Sequence, residues 1–237
     1  MLNVLSLREQ VYQHLRNAIQ KGALLPGTSM RLENLADELG VSKTPLKEAL
    51  IRLECEGFVE VHPRHGVLIK KLTYQEIKDY YEIVGSLESS VLFDVFDLLT
   101  DSHVREMKES NEEQRSVLES GDFDGYYQLN LDFHDIFLKL SPNTTLRRMI
   151  MPLKQRLYDF PRRVYWKEWE YVNLKEHAGL IHCIESGDRK GAAGILKEDH
   201  WGWRTHEPYI TKFYALTDAM SVPPAFDSAW TGLQIYT

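Results

Sequence analysis

The chain has 237 residues, 43% of them hydrophobic and 27% charged, with a formal net charge of −7. That length suffices for two moderate domains with separate cores, and that charge argues against a surface that clings to nucleic acid all over. The two cysteines, Cys55 and Cys183, lie far apart and outside any C-x-x-C pair, which excludes a disulfide framework; the opening MLNVLSLREQ lacks the basic segment and apolar core of a signal peptide, and no apolar run approaches a membrane span, so a cytoplasmic location is expected.

The charge is unevenly divided. Residues 1–72 hold 10 Lys plus Arg against 8 Asp plus Glu, and the remainder holds 18 against 27. A weakly basic head on an acidic body meets phosphate locally while the body is repelled from non-specific DNA.

In chain order, Leu7, Val11, Leu15 and Ile19 repeat every four residues and predict an amphipathic helix, followed by a turn at Leu25-Pro26-Gly27. Leu32, Leu35, Ala36 and Leu39 predict a second helix, with Gly40 supplying the permissive backbone of a tight turn. A third helix is expected to start with Thr44 as its cap and Pro45 in the first helical position. Its apolar stripe of Leu46, Ala49, Leu50 and Leu53 leaves Lys43, Lys47 and Arg52 on other faces. The β-prone segments Phe58 to His62 and Val67 to Lys71 then flank Pro63-Arg64-His65-Gly66, a turn-like tetrapeptide. Roof helix, two helices and hairpin together predict a winged helix-turn-helix over residues 1–72 that binds double-stranded DNA. Lys43, Lys47 and Arg52 would meet the groove and Arg64, helped by His65, the flanking phosphates or minor groove; Arg31, Ser42, Thr44 and Gly66 complete the candidate contact set.

Thr73-Tyr74-Gln75-Glu76 reads as a capping box, with Leu72 and Ile77 as its hydrophobic staple, so a new helix follows the wing almost directly. From there the pattern is mainly α: an all-helical bundle over residues 73–215, then a tail over 216–237 of unassigned role. ESGD occurs at Glu119 to Asp122 and again at Glu185 to Asp188; in both places Gly suits a helix end and Asp the next N-cap. Tyr158, Phe160, Tyr165, Trp166 and Trp169 are expected chiefly to fill core.

Within the bundle, Asn130 and His134 share a helix face, His177 is expected to open the helix that ends at the second ESGD, and His200 to lie near the end of the next. Three imidazoles and an amide oxygen suit a divalent ion such as Zn²⁺ or Ni²⁺; lone structural histidines are the alternative. A metal-dependent hydrolase or lyase using His134, His177 and His200 is a rival reading, but H-E-x-x-H, G-x-S-x-G and P-loop motifs are absent. His206-Glu207-Pro208 begins like the first of these, yet position 210 is Ile210 and the proline is expected to interrupt the helix, so an enzyme is not expected.

The run Leu39-Gly40-Val41-Ser42-Lys43-Thr44-Pro45-Leu46-Lys47-Glu48-Ala49-Leu50, with Pro26-Gly27, Leu35-Ala36, Glu56-Gly57 and Pro63-Arg64-His65-Gly66, resembles the GntR family of bacterial transcription regulators. Residues 73–212, with Asn130-Leu131-Asp132-Phe133-His134, Glu176-His177, Gly187-Asp188 and His200, resemble the helical FCD domain of the FadR-type branch. The resemblance implies a homodimer on a near-palindromic operator, and a metal held by Asn130, His134, His177 and His200 at the floor of a pocket for a small organic acid effector. Three departures stand out. Lys43 and Lys47 replace the usual arginines and lose the bidentate fork that reads guanine. Asn130 replaces aspartate as the first ligand, and Asp132 faces nearly the opposite side. Val84 replaces an arginine, leaving Arg156, Arg162 and Arg163 as weak candidates for the cation that meets the effector.

Overall fold

The computed structural model describes residues 5–63, 65–158 and 167–219. The chain divides into two compact units between Thr73 and Tyr74, and the end of one later helix, from Gln155, groups with the first.

In the first unit, α1 (Leu7–Gln20) packs against α3 (Lys43–Cys55), with α2 (Leu32–Leu39) alongside. Val11, Leu15 and Ile19 join Leu35, Leu39, Leu46, Leu50 and Leu53 in one apolar core. Gly40 ends α2 in the left-handed conformation, as its place in the turn predicts. The wing strands β2 (Val59–His62) and β3 (Gly66–Ile69) pair antiparallel, with Val61 opposite Val67. A third strand, β1 (Ser29–Met30), pairs with the other side of β3, giving the order β1-β3-β2. Two residues carry no readable period, and the sequence gives no sign of it.

The start of α3 differs from expectation. Ser42, not Thr44, is the N-cap, and its side chain makes no capping bond. Pro45 is thus the third helical residue; the first turn leaves its N–H groups without helical acceptors anyway, so proline forfeits nothing there.

Gly66 is held at φ +102°, and a Cβ there would lie 2.0 Å from the Met30 carbonyl oxygen. Its importance is therefore the close approach of β1 to β3. Gly66→Ala is expected to destabilise the unit by about 1–3 kcal/mol, read by urea unfolding; unchanged stability would show that β1 is dispensable.

The second unit holds α4 (Tyr74–Val95), α5 (Asp101–Ser120), α6 (Phe123–Leu138), α7 (Thr144–Tyr158) to Lys154, α8 (Lys167–Glu185), α9 (Arg189–Gly194) and most of α10 (Trp203–Ala219). Both ESGD segments punctuate helices as read: Gly121 (φ +81°) and Gly187 (φ +73°) sit beyond the helix ends, and the Asp122 and Asp188 side chains accept from Gly125 N–H and Gly191 N–H. Between α9 and α10 the helix widens into a π-helical turn, Ile195–His200, closed by Trp201 N–H donating to the Leu196 carbonyl at 3.0 Å.

Two sequence expectations fail here. His177 lies in the middle of α8, because its buried stripe starts earlier, at Asn173 and Leu174. Pro208 lies inside α10, which continues past it; the helix loses one N–H donor and still packs Ile210, fully buried. Among the described residues no helix is long and apolar enough to cross a membrane, and both cysteines are free.

Candidate metal centre and nucleic-acid interface

The side chains of His134, His177 and His200 converge from α6, α8 and the π-helical turn, each at most 4% exposed. One donor nitrogen from each lies within 4.8 Å of the others. Asn130, one turn before His134 on α6, is also fully buried. Three imidazoles at this separation can share one ion, and neutral imidazole nitrogen is a suitable ligand for Zn²⁺ or Ni²⁺.

The surroundings orient two of the rings. His134 Nδ1 lies 2.7 Å from Glu88 Oε2, and His200 Nδ1 lies 3.0 Å from Glu176 Oε2. The His200 contact is a hydrogen bond that leaves Nε2 for the centre, the arrangement by which carboxylates fix metal-binding histidines, whereas Glu88 approaches His134 Nδ1 closely without a well-formed hydrogen bond. His177 is stacked on Phe133 at 3.9 Å, and neither of its nitrogens has a hydrogen-bond partner among the described residues. Burying such a ring with both nitrogens unsatisfied is costly, which a bound ion would relieve. Burial holds the His134 imidazole down at about 3, against the pull of Glu88, and pushes His177 well below the ordinary value. Both rings are thus neutral and ligand-ready near neutral pH.

Glu88 anchors this wall. Its carboxylate, fully buried on α4, meets Lys154 Nζ at 2.7 Å and accepts from Trp201 Nε1–H at 2.8 Å, besides contacting His134. Burial would raise its pKa, but His134 and Lys154 hold it below the usual carboxylate range. On the far side, His206 accepts from Trp169 Nε1–H at 2.7 Å and lies 3.6 Å from Glu176. Trp169 therefore packs beside the site's supporting shell. The other members of that aromatic run, apart from the backbone of Tyr158, lie outside the described residues.

In the first unit, Arg31 is exposed at the N-cap of α2, Ser42, Lys43, Thr44 and Lys47 are exposed around the start of α3, and His65 is exposed on the wing. Lys43 Nζ pairs with Glu33 at 2.7 Å, a solvent-exposed contact that a phosphate can displace. Arg52 is engaged differently. It bonds Glu56 at 3.0 Å and Glu9 at 2.9 Å, and its guanidinium lies 3.6 Å from the Tyr12 ring centroid. The Tyr12 hydroxyl donates to Glu56 at 2.7 Å. Arg52 thus ties α3 to α1. Arg64 lies outside the described residues.

A model of the bacterial regulatory proteins of the gntR family matches residues 7–69, and a model of the FCD domain matches residues 79–199. The chain belongs to the GntR family. The Nta operon transcriptional regulator of Aminobacter aminovorans is 30% identical over 167 residues, covering 70% of this chain and 76% of its own. The transcriptional regulator McbR of Escherichia coli K12 is 28% identical over 200 residues, covering 81% and 89%. The solved structure of E. coli McbR/YncC superposes with a TM-score of 0.69 at 24% identity, covering 90% of this chain and all of that one. This GntR-family regulator therefore has the family's two-part build: a winged helix-turn-helix for DNA and a helical FCD domain.

Val84, where the family resemblance implies an arginine, is fully buried, and one turn along α4 Glu88 is paired with a lysine. Lys154 is 1% exposed and paired with Glu88. Arg156 does not join the cluster. Two residues along a helix is a turn of about 200°, so Arg156 faces away from Lys154; its guanidinium lies 5.1 Å from the Phe58 ring centroid, in the first unit. Arg162 and Arg163 lie outside the described residues. Glu88, Lys154 and Glu176 were not assigned a role from sequence. The signal was present: Glu88 continues the buried stripe Ile77, Tyr81 and Val84 of α4, and Lys154 follows buried Ile150 by one turn of α7.

Proposed function

We propose that this transcriptional regulator couples occupancy of the histidine centre to its grip on DNA. Asn130, His134, His177 and His200 would hold a divalent ion, Zn²⁺ or Ni²⁺, and a small organic acid bound beside it would change affinity for a specific operator. The carrying observation is the convergence of three buried imidazoles, two of them with a carboxylate oxygen within 3.0 Å of Nδ1. When bound, the ion supplies a Lewis-acidic anchor for a carboxylate. The chain's residues hold the donors in place and seal the site from water.

On the DNA side, two protomers would each place the start of α3 in the major groove of one half-site, with Lys47, Lys43, Thr44, Ser42 and Arg31 at the duplex and the wing with His65 and Gly66 flanking it. An effector shifts operator affinity only insofar as it binds the two conformational states of the dimer unequally. The test is fluorescence anisotropy on operators selected from a random pool, comparing chelator-treated and Zn²⁺- or Ni²⁺-loaded protein across a panel of small carboxylates. Equal affinity in every state would overturn the sensing role.

Lys47→Ala isolates the reading head. Loss of a groove cation is expected to weaken operator binding by about 1–3 kcal/mol if Lys47 reaches a base, with relaxed preference at one position. If it meets only phosphate, the loss is uniform across sequences and the salt slope falls by about one. Unchanged affinity and salt dependence would remove Lys47 from the interface.

A further inference from the structure

The outward face of α3 carries more than cations. Leu46, Ala49, Leu50 and Leu53 fill the core, each at most 2% exposed, and Arg52 bonds Glu9 on the flank beside α1. Opposite the core stripe, Thr44, Lys47, Glu48 and Ile51 stand at i, i+3, i+4 and i+7, all exposed. Seven residues make about 700° of helix, so Ile51 lies about 20° round from Thr44 and two turns further along. Ile51 is 58% exposed. A lone exposed isoleucine needs no explanation by itself. Here it continues the row of Thr44 and Lys47, the side chains assigned above to the major groove. Along α3 its outward neighbours are Lys47, Glu48 and Cys55, so the helix offers a partner protein no contiguous apolar patch. The major groove presents one apolar group that a single side chain can cover, the C5-methyl of thymine.

We propose that Ile51 is a specificity-determining residue of the reading head, covering the C5-methyl group of one thymine in each half-site. This rests on the DNA reading above and names a base that reading leaves open. Lys47 can donate to guanine O6 or N7 but lacks the bidentate fork that makes arginine selective there. Ile51 supplies discrimination of another kind, through burial of apolar surface. It stands about 6 Å beyond Lys47 along the helix axis, and base pairs stack about 3.4 Å apart, so its thymine lies within about two base pairs of the contact made by Lys47.

The test uses the full-length protein and an operator selected by the wild type from a random pool. Each thymine of that operator is replaced in turn by deoxyuridine, which removes only the methyl group, and binding is read by fluorescence anisotropy. At one thymine per half-site the wild type is expected to lose about fourfold in affinity, the worth of one buried methyl, and about 15-fold when both half-sites are changed. Ile51→Ala is expected to bind the thymine and deoxyuridine operators equally, and its own selected pool to lose the preference for thymine at that position. The exposure of Ile51 keeps the substitution out of the core, and the wild-type arm requires no variant. A wild type indifferent to every thymine methyl, or an equal penalty in I51A, overturns the role of Ile51 and leaves the operator reading standing. A pool with no sequence preference overturns the operator reading and the role of Ile51 together.

Discussion

Glu88→Gln is expected to lower the unfolding free energy by about 3–5 kcal/mol, the usual cost of removing one partner from a buried ion pair. The substitution keeps the volume of the side chain but leaves the Lys154 ammonium charged and fully buried with no counter-ion at 2.7 Å. It also weakens the hold on His134 Nδ1 and on Trp201 Nε1–H, which share the Glu88 carboxylate. The double variant Glu88→Gln, Lys154→Met removes the orphaned charge as well, and most of the loss is expected to return. Urea unfolding of the four proteins in this cycle measures it. If the double variant is as unstable as the sum of the singles, the cost lies in packing and hydrogen bonds and not in the charge pair.

The second large effect concerns the ion itself. Zn²⁺ or Ni²⁺ at about a hundredfold excess over its dissociation constant should add about 2.7 kcal/mol to wild-type stability, because only the folded chain gathers the donors. His177→Ala is expected to abolish that gain. His177 is the informative position, because among the described residues its ring faces no carboxylate, whereas His134 and His200 face Glu88 and Glu176. Replacing it removes stacking on Phe133 but breaks none of the carboxylate contacts that orient His134 and His200. Thermal melting with and without added ion, in the wild type and the variant, reads the difference; a wild-type melting temperature indifferent to both ions and to a chelator would sink the metal assignment.

The two predictions address different layers of one wall. Glu88 joins His134, Lys154 and Trp201 behind the site, whereas His177 would serve the bound ion directly.

Much of this architecture was legible along the chain. The spacing of Leu7, Val11, Leu15 and Ile19, of Leu35 and Leu39, and of Leu46, Leu50 and Leu53 announced three helices that do share one core, because a 3.6-residue period leaves a stripe that must be buried. The repeated ESGD marked helix ends correctly, since left-handed glycine and a capping aspartate are local chemistry. His134, His177 and His200 were also nameable, and they meet. What local patterns did not contain were relations between distant segments. The two-residue β1 exists only because β3 lies beside it. Arg52 looked like any exposed cation until α1 brought Glu9 and Tyr12 against it, 43 and 40 positions away. Lys154 and Glu88 stand 66 residues apart, and each alone reads as a misplaced charge on an apolar stripe. A buried charge is tolerable only with its partner in contact, so its meaning resides in packing between helices, which no single helix can announce.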